Sequence, residues 1–405
     1  MIASSPTLRR VERGALCAGC GLCAGIADGA VTMETVAPGY SRPRQVAPIA
    51  ASVEARIAGS CPGSQVAPWQ DAPHRHHSWG PWHRTMTGHA GDEGVRHAGS
   101  SGGALTALLT VALETGLVDR VLHVDADPDQ PTRNRIRWSD SADEIIAGSG
   151  SRYAASSPLA AIDRALQDGA RFAFVGKPCD VSALRQYARF DPRVAAQVPV
   201  MLSFFCGGLP SHDGADRIIR AMGLEPDEIV QFRYRGHGWP GLTRAVTADG
   251  RSGEMRYADS WGRHLSSQVQ FRCKICPDAV GGVADIACAD AWYGGESGYP
   301  TFEEQAGRSL IMTRSLVGEA LLDMAMARGA IVAEPLDIAE VDLMQPAQAR
   351  RKRMVRARLA ASLATAQPRP AVTGLDVGKA ARTARWQESL SNFAGTARRI
   401  ILGRR

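Results

Sequence analysis

Two hydrophobic periods alternate along the chain. In "HAGSSGGALTALLTVALETGLVDRVLHVDAD" the apolar Leu105, Leu108, Leu109, Ala112 and Leu113 recur at helical spacing, Gly116 stops the helix, and "VDRVLHV" reads as a strand. "ARFAFVGKPCDVSALRQYA" predicts a buried strand, a tight turn and a helix start, and "PVMLSFFCGGLPS" repeats the apolar strand followed by Cys and Gly. Cys179 and Cys206 therefore stand just past two strand ends, the edge of an α/β sheet where ligands usually sit. The histidine-rich "HRHHSWGPWHR" around Trp79 follows neither period and predicts an irregular connector. The fold class expected is α/β of mixed α+β type. It divides into a small cysteine-bearing unit (1–70), two parts of a central core (71–165 and 166–345) and a basic helical tail (346–405).

Composition narrows the class little: of 405 residues, 44% are hydrophobic and 22% charged, as in an ordinary soluble domain. No uninterrupted apolar run reaches the ~18 residues of a membrane span, and "MIASSPTLRRVERGALC" lacks the apolar core of a signal peptide. The expectation is a cytoplasmic protein, whose clustered cysteines are metal ligands or catalytic groups rather than disulfides. Charge changes the picture more. From Pro346 to Arg405 there are 14 Lys and Arg against Asp376 and Glu388, so a formal total of +6 leaves the rest of the chain at −6. Basicity confined to the tail removes the motive for a nucleic-acid reading. "RRKRMVRARLAASLA" and "KAARTARWQESLSNFAGTARRIILGRR" suit helices, with Trp386, Leu390, Phe393, Ile400, Ile401 and Leu402 set among arginines. Peripheral membrane contact, capture of an acidic ferredoxin and packing on the acidic body each satisfy this pattern.

"CAGCGLC" sets Cys17, Cys20 and Cys23 at two-residue intervals, with Gly19 and Gly21 letting the backbone turn around a bulky inorganic core. A [4Fe–4S] cluster needs such a run plus one remote ligand, and Cys61 before Pro62 supplies it. Zinc is the rival, although structural zinc more often takes two separated pairs. Cys273 and Cys276 in "FRCKICPDAVGG" form a second pair. On spacing alone that pair fits zinc, a cluster or a redox disulfide equally, and with Cys179 and Cys206 it makes four thiolates if the loops converge. Cys288, inside "ADIACADAW", reads as a core residue.

Gly99, Ser100, Ser101, Gly102 and Gly103 run directly into a helix, so free amides and the positive end of the helix dipole suit a phosphate. The spacing matches neither the Walker nor the dinucleotide motif, and a Ser-capped helix explains it as well. A flavin is the usual converter between one-electron clusters and two-electron organic chemistry.

Taken in order, "CAGCGLC", "GSSGGALTALLTVALETGLVD", "FVGKPCDVSALR", "FFCGGLPS", "FRYRGHGWPG" and "CKICPDAVGGVADIACADAWYG" resemble the coenzyme F420 hydrogenase/dehydrogenase beta subunit family, which includes hydroxymethyl chlorophyll reductase and ferredoxin-dependent divinyl reductases. The resemblance implies an FAD in the α/β core, a ferredoxin-like [4Fe–4S] at the N-terminus and a second [4Fe–4S] near the flavin. By position, Gly99 to Gly103 look like the flavin phosphate loop, with Ser151, Tyr153, Lys177 and Pro178 around the same pocket. The second cluster falls on Cys179, Cys206, Cys273 and Cys276.

Some residues keep two readings. Lys177 is either a cofactor contact or a surface lysine in a turn. Asp278, Asp285 and Asp290 read better as loop and cap residues than as acids, and His74, His76 and His77 as solvated linker residues. His97 is a candidate flavin contact, and no catalytic acid or base can be picked. Three function classes follow: a reductase joining a one-electron donor such as ferredoxin to a two-electron organic acceptor, F420-type or other; an electron-transfer subunit with no substrate of its own; and a structural zinc protein.

Overall fold

The computed structural model describes residues 4–294 and 304–404; Met1 to Ala3 of the N-terminal unit and Arg405 of the tail lie outside the described residues. One eight-stranded sheet dominates. In spatial order its strands are Ile331–Pro335, Thr85–Ala90, Ser309–Thr313, Ile286–Asp290, Val200–Phe204, Phe172–Val175, Arg120–Ala126 and Asn134–Ser139. The strands starting at 120, 172, 200 and 286 run parallel, and the flanking strands pair antiparallel, so the sheet is mixed.

Period-two burial explains why the central runs read as continuously apolar. Phe172, Phe174, Met201, Leu310 and Met312 enter one core, while Ala173, Val200, Leu202 and Ile311 point through the sheet into another. Helices Ala104–Glu114 and Leu316–Ala327 cover the second face. Helix Pro178–Tyr187 covers the first, where Leu8, Leu16, Leu22 and Ile57 of the N-terminal segment join the same core. A separate three-stranded meander, Ile229–Arg233, Leu242–Thr247 and Ser252–Arg256, packs with helix His212–Ala221 around a third core.

The segment expected as an irregular connector is ordered. His74–His76 pairs antiparallel with Gly80–Trp82; His74, exposed as expected, stacks on Trp82 at 5.5 Å, and half-buried His76 stacks on Trp79 at 6.3 Å. Trp79 is fully buried and lies 5.8 Å from Phe205, so an aromatic anchor, not periodicity, fixes this hairpin.

The tail folds as helices Pro346–Ala364, Val377–Arg382 and Trp386–Ile401. Met354, Val355 and Leu359 of the first are buried, whereas Trp386 (71% exposed), Leu390 and Ile401 of the last face outward. No helix among the described residues is long and apolar enough to cross a membrane.

Buried histidine gives the fold an acid limit. Burial drives His123 down to about 4, and its Nε2 lies 2.8 Å from the Ser139 hydroxyl. Between pH 6.5 and 4 the unfolded chain takes up a proton that the folded chain refuses, so stability is full above 6.5 and falls by up to about 3 kcal/mol as pH drops. His212, also lowered to about 4 by burial, acts in the same direction. Thermal melts across that window are expected to show a shallower acid slope for His123→Gln than for wild type; an unchanged slope contradicts the assignment.

Candidate functional site

Cys17, Cys20, Cys23 and Cys61 line one small gap together with Leu8, Val11, Met33 and Ile57. Gly19 and Gly21 both adopt left-handed φ, which bends the loop back on itself. Burial pushes the thiols of Cys20 and Cys23 well above their usual value and Cys61 to about 11, with neighbouring thiols adding to the shift. The Gly19 amide donates to the Cys17 sulfur at 3.3 Å. Arg42 and Arg272 act on Cys17, and Arg272 on Cys61, in the opposite direction, but burial outweighs them, so the thiols are held protonated, whereas bound metal deprotonates such a set outright.

Cys179, Cys206, Cys273 and Cys276 form a second group. Each of Cys179, Cys206 and Cys276 has its thiol raised by burial and feels at least one other member, Cys206 reaching about 12. Cys179 sits in the first turn of helix Pro178–Tyr187, and Cys206 follows strand Val200–Phe204. Cys273 lies in the short helix Phe271–Lys274, where its sulfur accepts from the Leu209 amide at 3.3 Å and the Gln270 amide nitrogen at 3.5 Å. Among the described residues no group of three or more His, Cys, Asp or Glu side chains that could hold a metal ion is found; a cubane, taking one thiolate per iron, asks for a wider cage than a single ion. The donor set of both groups, four thiols that are half-buried or buried, fits such a cluster.

A cavity of about 270 Å³ opens at the carboxyl ends of the parallel strands, just below the usual size range of small-molecule sites. Its wall includes Gly99, Ser100, Ser101, Gly103, Ser151, Tyr153 and Lys177, and also Cys206. Gly102 and Pro178, expected at the same pocket, are not among its lining residues. The loop is built differently from a simple amide cradle: Gly102 donates its N–H to Ser309 Oγ at 2.9 Å, and Ser101 Oγ donates to the Arg308 carbonyl at 2.9 Å. Gly102 is pressed so near Gly88 O and Ser309 N that a Cβ would sit 2.8 Å from each. These two residues bolt the loop to the sheet edge. Among the described residues the backbone N–H groups of Ser100, Ser101, Gly103 and Ala104 have no hydrogen-bond partner, and they head an eleven-residue helix at the cavity. Ser100 Oγ accepts from the Ser151 amide, joining two predicted pocket residues directly.

Lys177 is not a surface lysine. Its side chain is 11% exposed and pairs with Asp180 at 2.7 Å; burial alone would lower its pKa, but Asp180 and the nearby thiols outweigh that and hold it raised. Asp278 behaves as the loop residue expected, accepting from the Val280 and Gly282 amides, whereas Asp285 is a buried anchor that accepts from Arg185, Met201 N and Ser315. His97 is exposed, stacks on His237 at 5.8 Å and stands outside the cavity wall.

Residues 85–163 match the family described as coenzyme F420 hydrogenase/dehydrogenase, beta subunit N-term, and residues 169–339 match its C terminus. The chain belongs to this family. Among its relatives, the F420-dependent formate dehydrogenase 1 subunit beta of Methanococcus maripaludis is 26% identical over 55% of this chain and 57% of its own. The chloroplastic 7-hydroxymethyl chlorophyll a reductase of Oryza sativa subsp. japonica is 25% identical over 55% of this chain and 45% of its own. An uncharacterized protein of Methanocaldococcus jannaschii is 24% identical over 57% of this chain and 60% of its own. The match thus spans less than two thirds of these relatives. A chain of the F420-reducing [NiFe] hydrogenase complex from Methanosarcina barkeri shares the fold, with a TM-score of 0.54 at 20% identity, covering 70% of this chain and 95% of that one.

Within this beta-subunit fold, three features escape sequence reasoning. Arg235, 2% exposed, forms a two-pronged ion pair with Asp290 at 2.8 and 2.9 Å, and both line the cavity. The motif "FRYRGHGWPG" carries Arg235 and so marks it, but its partner lies 55 residues away. Cys288 is a buried strand residue as expected, yet it also reaches the cavity wall. Finally, the tail closes over the second cysteine group: Arg351 donates to the carbonyls of Cys206 and Gly207, Lys352 to Pro277, and Arg358 to Lys274.

Proposed function

We propose that the chain is an iron–sulfur flavoprotein oxidoreductase, with one [4Fe–4S] cluster on Cys17, Cys20, Cys23 and Cys61, a second on Cys179, Cys206, Cys273 and Cys276, and FAD in the cavity. The observation that carries this reading is Cys206, which belongs both to the second thiol group and to the cavity wall. Bound there, the clusters would supply single-electron transfer and the flavin the conversion to hydride chemistry. The chain's own residues do the rest. The free amides at Ser100, Ser101, Gly103 and Ala104, with the helix dipole behind them, neutralise phosphate charge. Lys177 places a cation between cavity and thiols, and the apolar walls formed by Leu109, Val124 and Ile145 keep water out.

The electron donor in this reading is an external one-electron carrier such as ferredoxin, and the acceptor an F420-type or other organic molecule, since the relatives' names include both an F420-dependent enzyme and a chlorophyll reductase. A second reading, a subunit that passes electrons on without a substrate of its own, is favoured by the hydrogenase complex to which the structural neighbour belongs. Anaerobic purification with assay of iron, acid-labile sulfide, zinc and flavin tests the shared core of both. Two clusters' worth of iron and sulfide with one FAD is expected; a zinc-loaded, flavin-free protein overturns it.

The tail clamp yields a prediction of its own. Arg351→Ala frees the Cys206 and Gly207 carbonyls, and removal of such an outer support typically costs about 10–100-fold in metal affinity. Chelator challenge followed by iron assay is expected to strip iron selectively from the second site; retention equal to wild type contradicts the clamp.

A further inference from the structure

The two cysteine groups are joined by a small set of cations and amides that the cofactor assignment does not use. Arg272 immediately precedes Cys273 of the second group and is 3% exposed. Its guanidinium reaches back to the first group, donating to the carbonyl of Pro62, next to Cys61, at 3.1 Å. Its Nε is buried without a hydrogen-bond partner, and among the described residues it makes no ion pair with a carboxylate. A second connection runs alongside: Arg42, beside the Cys17 thiol, donates to Gln270 Oε1 at 3.0 Å, and Gln270 donates to the Cys273 sulfur at 3.5 Å.

A buried guanidinium with no carboxylate is among the least favourable placements a folded chain can make unless negative charge lies beside it. The thiols on either side are the groups positioned to supply that charge, once deprotonated by bound metal. Consistent with this, the field of Arg272 reaches Cys17 and Cys61 of one group and Cys276 of the other.

We propose that Arg272, with Arg42 and Gln270, forms a cationic bridge shared by the two cysteine sites, so that one side chain tunes the reduction potentials of both clusters together. The inference rests on the two-cluster reading above. Positive charge beside a redox centre favours its electron-rich form, and in a low-dielectric interior that influence carries further than in water. Because Arg272 is tied to Pro62 at one end and to the Cys273 backbone at the other, it also fixes the spacing of the two ligand loops. Its role is positioning and electrostatic: no bond is made or broken at the guanidinium, and no proton leaves it.

The test is a potentiometric titration of the anaerobically purified full chain followed by electron paramagnetic resonance, with Cys17→Ser and Cys206→Ser used to assign the two signals. Arg272→Met is expected to move both signals to lower potential. Arg272→Lys, which keeps the charge, should leave both nearer their wild-type positions. Arg351→Gln, whose contacts are to the second group alone, should move only that signal. A shift confined to one signal, or no shift, in Arg272→Met with full iron content overturns the bridge. If Arg272→Met fails to hold iron, Arg42→Gln decides, with a smaller downward shift of both signals expected and none contradicting. A wild-type protein with no reducible iron signal sinks the two-cluster reading itself, and a wild type with two signals that ignore both arginines sinks only the bridge.

Discussion

Cys206→Ser is expected to remove the iron of the second site, leave the FAD bound, and slow flavin reduction by a one-electron donor by more than about 100-fold. The size follows from position. Changes to outer supports alone cost about 10–100-fold in metal affinity or activity, and Cys206 is itself a proposed ligand that also lines the cavity. Its backbone stays anchored, since the Cys206 amide donates to the Ala279 carbonyl at 2.8 Å, so the change acts on the sulfur and not on the loop. Iron and flavin content together with anaerobic stopped-flow reduction read the result. A wild-type rate in a protein that has lost that iron contradicts the proposed route.

Gly103→Val is expected to abolish flavin retention while leaving the N-terminal iron in place. Gly103 holds φ at +74°, and a Cβ there would stand 2.7 Å from the Val95 carbonyl oxygen and 3.2 Å from the Ala90 Cβ. The left-handed conformation alone costs a substituted residue roughly 1–2 kcal/mol, and the backbone oxygen cannot move without disturbing helix Glu93–Ala98. The loop must therefore shift, carrying with it the amides of Ser100, Ser101 and Ala104. Flavin released on gel filtration, with the iron of Cys17, Cys20, Cys23 and Cys61 retained, is the expected pattern; full flavin occupancy would show that the loop does not hold the cofactor.

What the sequence reveals of this site is what local pattern can encode. The helix after "GSSGG" was legible because its apolar spacing and its bounding glycines agree, and the central strands because burial on both faces makes them continuous apolar runs. The convergence of Cys179, Cys206, Cys273 and Cys276 came only through resemblance, since three loops far apart in the chain must meet to build it. The hairpin at Trp79 stayed hidden because its order comes from ring packing against Phe205, which no period announces. The Arg235 pair with Asp290 and the reach of Arg351 to Cys206, across 145 residues, are likewise products of tertiary placement. Lys177 kept two readings, cofactor contact or surface lysine, because its sequence neighbours are those of a turn; its partner Asp180, three residues on, is what lets it be buried charged.

In the proposed function the cysteine sites and the cavity form one electron path. The most direct test mixes the anaerobically purified full chain with a reduced ferredoxin in a stopped-flow spectrometer and follows the iron and flavin absorbance together. The iron bands are expected to bleach first, with the bound flavin following in the same turnover; a flavin that stays oxidised while the iron is fully reduced would contradict that path.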